Sequence, residues 1–283
     1  MELRVAGRHC RVATGQCDFT PAASRWPPIV LIHGAANDRD AWHAVVGGLT
    51  AAGCAVLAPD LPGHGLSEGP ALASIEALAD WLPQVLDAVG VSAAVVVGHS
   101  MGSLVALECA ARHPQRVSRL ALLGSSAPMP VSEALLGRAT SDPDAVYRLM
   151  TEYSLTGGFR LRGGDRPGVW GPGLTLAILR RSPPGALAID LAGCNAYQNG
   201  LEAAARVVCP TLLLVARRDR MTPRRNLPPL QSALREVTRV EIADCGHALM
   251  AERPDSVVRA LLDFLQPPPA TQRAASPPNA RER

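Results

Sequence analysis

Three residues whose side chains can share one reaction follow each other along the chain: Ser100, Asp219 and His247. A serine hydroxyl is a poor nucleophile until a base takes its proton, and an imidazole base needs an acid to hold its tautomer and offset the charge it gains. Ser100 sits in Gly98-His99-Ser100-Met101-Gly102, which matches G-x-S-x-G, a sharp strand-to-helix turn that exposes its serine at the end of a sheet. By composition alone such a pattern arises in roughly one chain of this length in ten. Its flanks make it specific, because Val95-Val96-Val97 is a β-branched run of strand length and Leu104, Val105, Leu107 and Ala111 follow at helical spacing.

With such a turn the acid and then the histidine are expected downstream of the serine. Asp219 follows directly on the apolar run Thr211 to Ala216, whereas Asp190 and Asp244 do not follow a strand end. His247 is the one histidine after Asp219. Of the others, His9 and His43 are expected far from the active end of the sheet, His113 lies at a helix end, and His33, His64 and His99 sit in glycine turns with structural roles. A tetrahedral intermediate also needs N–H donors for its oxygen. Met101, opening the helix after Ser100, and Ala35, after His33-Gly34, are the candidates for this oxyanion hole.

These residues need a scaffold, and the chain supplies alternating strands and helices. A short edge hairpin (Leu3 to Val5, His9 to Ala13) precedes Ile29-Val30-Leu31-Ile32, a run apolar on both faces that belongs inside a parallel sheet covered by helices. Strand and helix then alternate to Leu123, with a turn at Asp60-Leu61-Pro62-Gly63-His64-Gly65, and Pro83 predicts a kink or an early end in the helix that starts after Ser74. From Ser125 to Arg206 only helix-like pieces occur, too long a stretch for a loop. Alternation resumes at Thr211, and Pro254 opens a last amphipathic helix through Leu265. From Pro267 the composition is that of a disordered tail.

The remaining features narrow the class. The chain has 283 residues and a net charge of +3 with no basic run, all its basic residues being Arg, so nucleic acid is not indicated. No apolar stretch reaches membrane-span length and the start lacks a signal-peptide core, which predicts a cytoplasmic protein without a membrane span. Seven scattered cysteines without a C-x-x-C pair predict reduced thiols and no metal site, Cys245 being packing in its loop.

Taken together, His33-Gly34, the Asp60 to Gly65 turn, the serine turn, Asp219 and Gly246-His247 give the chain, from Ile29 to Leu265, a resemblance to the α/β-hydrolase fold superfamily. The resemblance implies an α/β fold with a mostly parallel eight-stranded sheet, helices on both faces and an inserted helical cap. Residues 1–124 and 207–266 would form the core, 125–206 the cap and 267–283 the tail. It also implies Ser100, Asp219 and His247 as the triad of a serine hydrolase that uses no cofactor. Relatives with an aspartate at the Ser100 position, the epoxide hydrolases and haloalkane dehalogenases, are disfavoured. The loop His33-Gly34-Ala35-Ala36-Asn37-Asp38 differs from those of proline iminopeptidases and carbon–carbon bond hydrolases, and the elbow with Met101 resembles small esterases and lactonases. The expectation is a carboxylic ester or lactone hydrolase for a small-molecule substrate, monomeric or homodimeric. The alternatives are a carbon–carbon hydrolase or cofactor-free perhydrolase, and a non-catalytic ligand-binding protein. Met129, Met150, Tyr153, Phe159 and Tyr197, with Trp170, are the expected substrate-binding residues.

Overall fold

The computed structural model describes residues 1–15, 18–162 and 170–266. Its strands are β1 (Glu2–Val5), β2 (Arg8–Ala13), β3 (Ile29–Ile32), β4 (Val56–Pro59), β5 (Ala94–His99), β6 (Val117–Leu123), β7 (Thr211–Ala216) and β8 (Val237–Ile242). They form one eight-stranded sheet in the order β1-β2-β4-β3-β5-β6-β7-β8. β1 and β2 are antiparallel to each other, β2 is antiparallel to β4, and the six strands from β3 onward run parallel. The predicted α/β sheet is therefore the observed one.

The helices are α1 (His43–Ala51), α2 (Ile75–Ala88), α3 (Met101–Arg112), α4 (Glu133–Ser141), α5 (Pro143–Ser154), α6 (Gly157–Arg162), α7 (Gly171–Arg180), α8 (Ala186–Ala196), α9 (Gly200–Arg206), α10 (Pro228–Ala233), α11 (Leu249–Glu252) and α12 (Pro254–Leu265). Alternate residues of the parallel strands feed two cores. Val30, Ile32, Val96, Leu120 and Leu213 pack with Leu82 and Leu86 of α2 and Leu104 of α3. Ile29, Leu31, Val97, Leu123 and Leu214 pack with Val46 and Leu49 of α1 and Leu261 of α12. Each such fully buried aliphatic side chain contributes about 1.5–3 kcal/mol. This two-sided burial is why β3, β4, β5 and β7 are buried along their whole length rather than alternating, whereas the edge strand β8 keeps polar residues.

Pro83 does not end α2, which runs unbroken from Ile75 to Ala88. Leu78, Leu82, Val85 and Leu86 are buried on either side of it, and their combined burial outweighs the ~3 kcal/mol that an interior proline costs. Between β6 and β7 the chain forms α4 to α9. α4 packs on α5 and α8, and α5 on α7, whereas α9 packs on α3 and α10. The Gly163-Gly164 loop, Cys17 and the tail beyond Gln266 lie outside the described residues. The other six cysteines are free thiols, and no helix among the described residues is long and apolar enough to cross a membrane.

Candidate active site

β5 ends at His99 and α3 begins at Met101, so Ser100 alone makes the turn, at φ 54° and ψ −123°. A residue with a β-carbon held there is strained by about 1–3 kcal/mol, and the surroundings hold it. Its N–H donates to the Leu123 carbonyl at 3.0 Å, and its own carbonyl accepts from the Ser103 N–H at 2.8 Å. The Ser103 hydroxyl is in turn 2.8 Å from the Ser125 hydroxyl. The flanking glycines are there for space. A β-carbon at Gly98 would run into the Gly102 carbonyl, and one at Gly102 into the carbonyls of Ile32 and His33. The end of β3 thus presses against the start of α3, bringing Ala35 to the same cavity as Ser100. Met101 is the first residue of α3, so its N–H has no intrahelical partner.

Asp219 lies beyond the end of β7 and His247 beyond β8. The carboxylate of Asp219 is held on both oxygens: Oδ1 accepts the N–H groups of Met221 and Thr222, each at 2.8 Å, and Oδ2 accepts the Thr222 hydroxyl at 2.7 Å. Oδ2 also lies 2.8 Å from His247 Nδ1, both side chains being buried. Burial pushes the Asp219 carboxyl up, but the His247 charge and the hydrogen bonds from His247 and Thr222 outweigh it and hold it well below the usual range. Nδ1 therefore donates and Nε2 is left as the basic nitrogen. That Nε2 is buried and has no hydrogen-bond partner among the described residues.

The backbone of His247 is clamped from two sides. His99 Nε2 donates to the His247 carbonyl at 2.8 Å, and burial first, then the adjacent His247 charge, lowers the His99 pKa to about 3, so this ring stays neutral. On the other side Glu252 Oε1 accepts the N–H groups of Gly246 at 3.1 Å and Thr156 at 2.8 Å, while Oε2 accepts the Thr156 hydroxyl at 2.6 Å. This buried carboxylate ties the His247 loop to the turn between α5 and α6. Glu252→Ala leaves the buried Gly246 N–H and the partly buried Thr156 N–H unmatched and is expected to cost about 2–4 kcal/mol in urea unfolding. Glu252→Gln keeps an acceptor for both and should cost less than half as much.

Ser100, Ala35 and His247 line one cavity of about 230 Å³. Met150 and Phe159, both expected at the substrate, line it too, together with Ile178, Leu179, Met221 and Met250. Met129, Tyr153, Trp170 and Tyr197 are not among its walls. Along α5 the buried face runs through Val146, Tyr147, Thr151 and Ser154. Tyr153 is on the outer face, where the Arg220 guanidinium covers its ring at 4.5 Å. Tyr197 is buried elsewhere, its hydroxyl donating to Glu108 Oε2 on α3 at 2.5 Å. Met129 packs against the larger core, and Trp170 is 70% exposed.

His43, expected far from the active end, is instead a cavity wall residue at the start of α1. The loop after β3 folds back over the sheet end and carries α1 with it, which the linear pattern does not reveal. Met221 and Met250 were missed although each stands two or three positions from Asp219 or His247, a proximity that was readable. Among the described residues no cluster of His, Cys, Asp and Glu is arranged to hold a metal ion.

The alpha/beta hydrolase fold family matches residues 27–163. A pimeloyl-[acyl-carrier protein] methyl ester esterase of Aromatoleum aromaticum is 30% identical over 262 residues, spanning 85% of this chain and 98% of its own length. A 2-hydroxymuconate semialdehyde hydrolase of a Pseudomonas species is 40% identical over 113 residues, 38% of this chain and 40% of its own. Among solved structures, the enol-lactonase of Burkholderia xenovorans LB400 superposes with a TM-score of 0.82 at 23% identity, covering 94% of this chain and 99% of that one.

Proposed function

The chain belongs to the α/β-hydrolase fold family, and from that premise we propose that it is a serine hydrolase that cleaves a carboxylic ester or lactone through an acyl-enzyme. The observation that carries the reading is the buried Asp219–His247 pair opening onto the same cavity as a serine held in a strained turn. Residues 125–206 would act as the cap over a core made of 1–124 and 207–266, with α9 returning to the core.

In the proposed cycle Ser100 Oγ attacks the carbonyl carbon while its proton passes to His247 Nε2. The imidazolium so formed keeps its Nδ1–H on Asp219 Oδ2. The N–H groups of Ala35 and Met101 receive the negative oxygen, Met101 with the positive end of the α3 dipole behind it. Collapse breaks the bond to the alkoxide, which leaves with the proton from Nε2. Water then attacks the acyl group by the same route, its proton going to Nε2 and on to the departing Ser100 oxygen, and the acid is released. The largely apolar walls suit an uncharged acyl or alkyl chain, and the Aromatoleum relative is named for a methyl ester.

A fluorophosphonate probe tests the reading. The expected result is one adduct per chain, mapped to Ser100, with loss of turnover of p-nitrophenyl butyrate. A chain that binds the probe's alkyl group without forming an adduct would be a ligand-binding protein instead. The shared segment with the Pseudomonas hydrolase favours one second reading, action on a semialdehyde of the kind in its name. Turnover of 2-hydroxymuconate semialdehyde faster than of any simple ester would replace the ester assignment.

A further inference from the structure

A second buried acid–histidine pair stands outside this machinery. Asp190, on α8, and His64, in the turn after β4, are both almost wholly buried, and His64 Nε2 lies 2.8 Å from Asp190 Oδ2. The same Oδ2 accepts the N–H of Ala36 at 2.8 Å. We propose that Asp190 is a positioning residue, which through its bond to the Ala36 N–H aims the adjacent Ala35 N–H at the substrate carbonyl oxygen. The inference rests on the ester-hydrolase reading and on Ala35 as an oxyanion donor.

Three observations carry it. Ala36 is fully buried and held at φ 55°, a left-handed conformation that costs a non-glycine residue about 1–2 kcal/mol and turns the peptide that follows Ala35. The hydrogen bond to the charged Asp190 acceptor helps hold it there, beside the turn bond from the Asn37 N–H to the Gly34 carbonyl at 3.2 Å and the bond from the Asn37 side-chain amide to the Ala35 carbonyl at 2.9 Å. Second, both nitrogens of His64 face acceptors, Nδ1 lying 3.1 Å from the Pro62 carbonyl and Nε2 2.8 Å from the Asp190 carboxylate, an arrangement fully matched when the ring carries both protons and a positive charge. Burial opposes that charge, but the hydrogen bond and charge of Asp190 prevail and raise its pKa. The other titratable groups around it are consistent: His33, 5.2 Å away between ring centroids, donates from Nδ1 to the Gly34 carbonyl and accepts the Leu61 N–H at Nε2, so it is neutral, and Asp60 is engaged by Arg39. The loop from Gly34 to Ala36 is thereby gripped at both ends.

Third, Asp190 Oδ1 is buried with no hydrogen-bond partner among the described residues. A half-matched carboxylate paired in the core is a poor device for stability, since apolar residues of similar volume do as well or better. It is a good device for pinning one peptide group. Because Asp190 lies on α8, the pin reaches the loop from the helices inserted between β6 and β7, and not from the sheet.

The test uses the full chain with Asp190→Ala, Asp190→Leu and Asp190→Asn. Removing one oxyanion donor outright costs 10²–10³ in kcat in well-studied hydrolases, so a misaimed donor should cost about 10- to 100-fold. The expected result is that loss in kcat for Asp190→Ala, with KM for p-nitrophenyl butyrate changed less than about threefold. The affinity for a phenylboronic acid, which forms a tetrahedral adduct, should fall by the same factor as kcat. Asp190→Asn keeps an acceptor for the Ala36 N–H and should recover most of the loss. Asp190→Leu fills the volume without the acceptor and carries the comparison if Asp190→Ala does not fold. Folded Ala or Leu variants with kcat and boronate affinity within twofold of native, or an Asn variant as slow as the Leu variant, overturn the proposal. Fluorophosphonate separates this from its premise: a native chain that is not labelled removes the ester-hydrolase reading itself, whereas a labelled native chain beside a fully active Asp190→Leu removes only the positioning role.

Discussion

Ser100→Ala is expected to lower kcat on p-nitrophenyl butyrate by about 10⁶, with KM within a few-fold of native. The size follows from what the change takes away. In the proposed cycle it deletes the atom that forms the acyl bond, and the nearby Ser103 hydroxyl and Cys245 thiol do not replace it. Ser103 is fully buried with its hydroxyl committed to Ser125. Cys245 is buried, its thiol turned to the Gly246 carbonyl and its pKa pushed up by burial. The fold should be unaffected, because the contacts that hold the turn, from Ser103 and to Leu123, are made by backbone atoms of residue 100. An unchanged melting curve with kcat reduced only tenfold would show that the nucleophile is another group.

Asp219→Asn is expected to lower kcat by about 10⁴, as the equivalent change does in the serine-protease case from which that figure comes, and here the geometry gives the reason. The Oδ1 position accepts two backbone N–H groups, from Met221 and Thr222. The asparagine amide must place its oxygen there, because its NH₂ would face two donors. The NH₂ then occupies the Oδ2 position, 2.8 Å from His247 Nδ1, and donates to it. That moves the imidazole proton to Nε2, where a base is needed. The variant should bind ester normally and label slowly with fluorophosphonate. If kcat stays within tenfold of native, the acid lies elsewhere, although Asp190 is already bonded to His64 and Asp244 is exposed and paired with Arg218.

The walls of the cavity were the least legible part. Helical periodicity marks α5 as amphipathic, but both Met150 and Tyr153 are large and apolar enough to face a substrate, and only packing against α7 chooses between them. Tyr197 follows α8 by one residue, and nothing local announces that its hydroxyl will reach Glu108, 89 positions earlier. Asp190 was readable only as an acid not at a strand end. Its partners His64 and Ala36 are 126 and 154 positions away, beyond any local pattern.

What the sequence by itself determined is the sheet: doubly apolar strands can be buried only in the middle of helix-covered layers, and strand ends with short turns then bring distant residues to one rim. It also named the residues that can meet there, because elbow glycines, a strand-end acid and a late histidine are chemical types at set places in a parallel sheet. Tertiary structure alone decided what surrounds them: the clamp of His99 and Glu252 on the His247 loop, the methionines of the cavity, and the grip of α8 on the loop after β3. Those contacts are side-chain choices between elements far apart in the chain, and their energies exist only once the elements have docked.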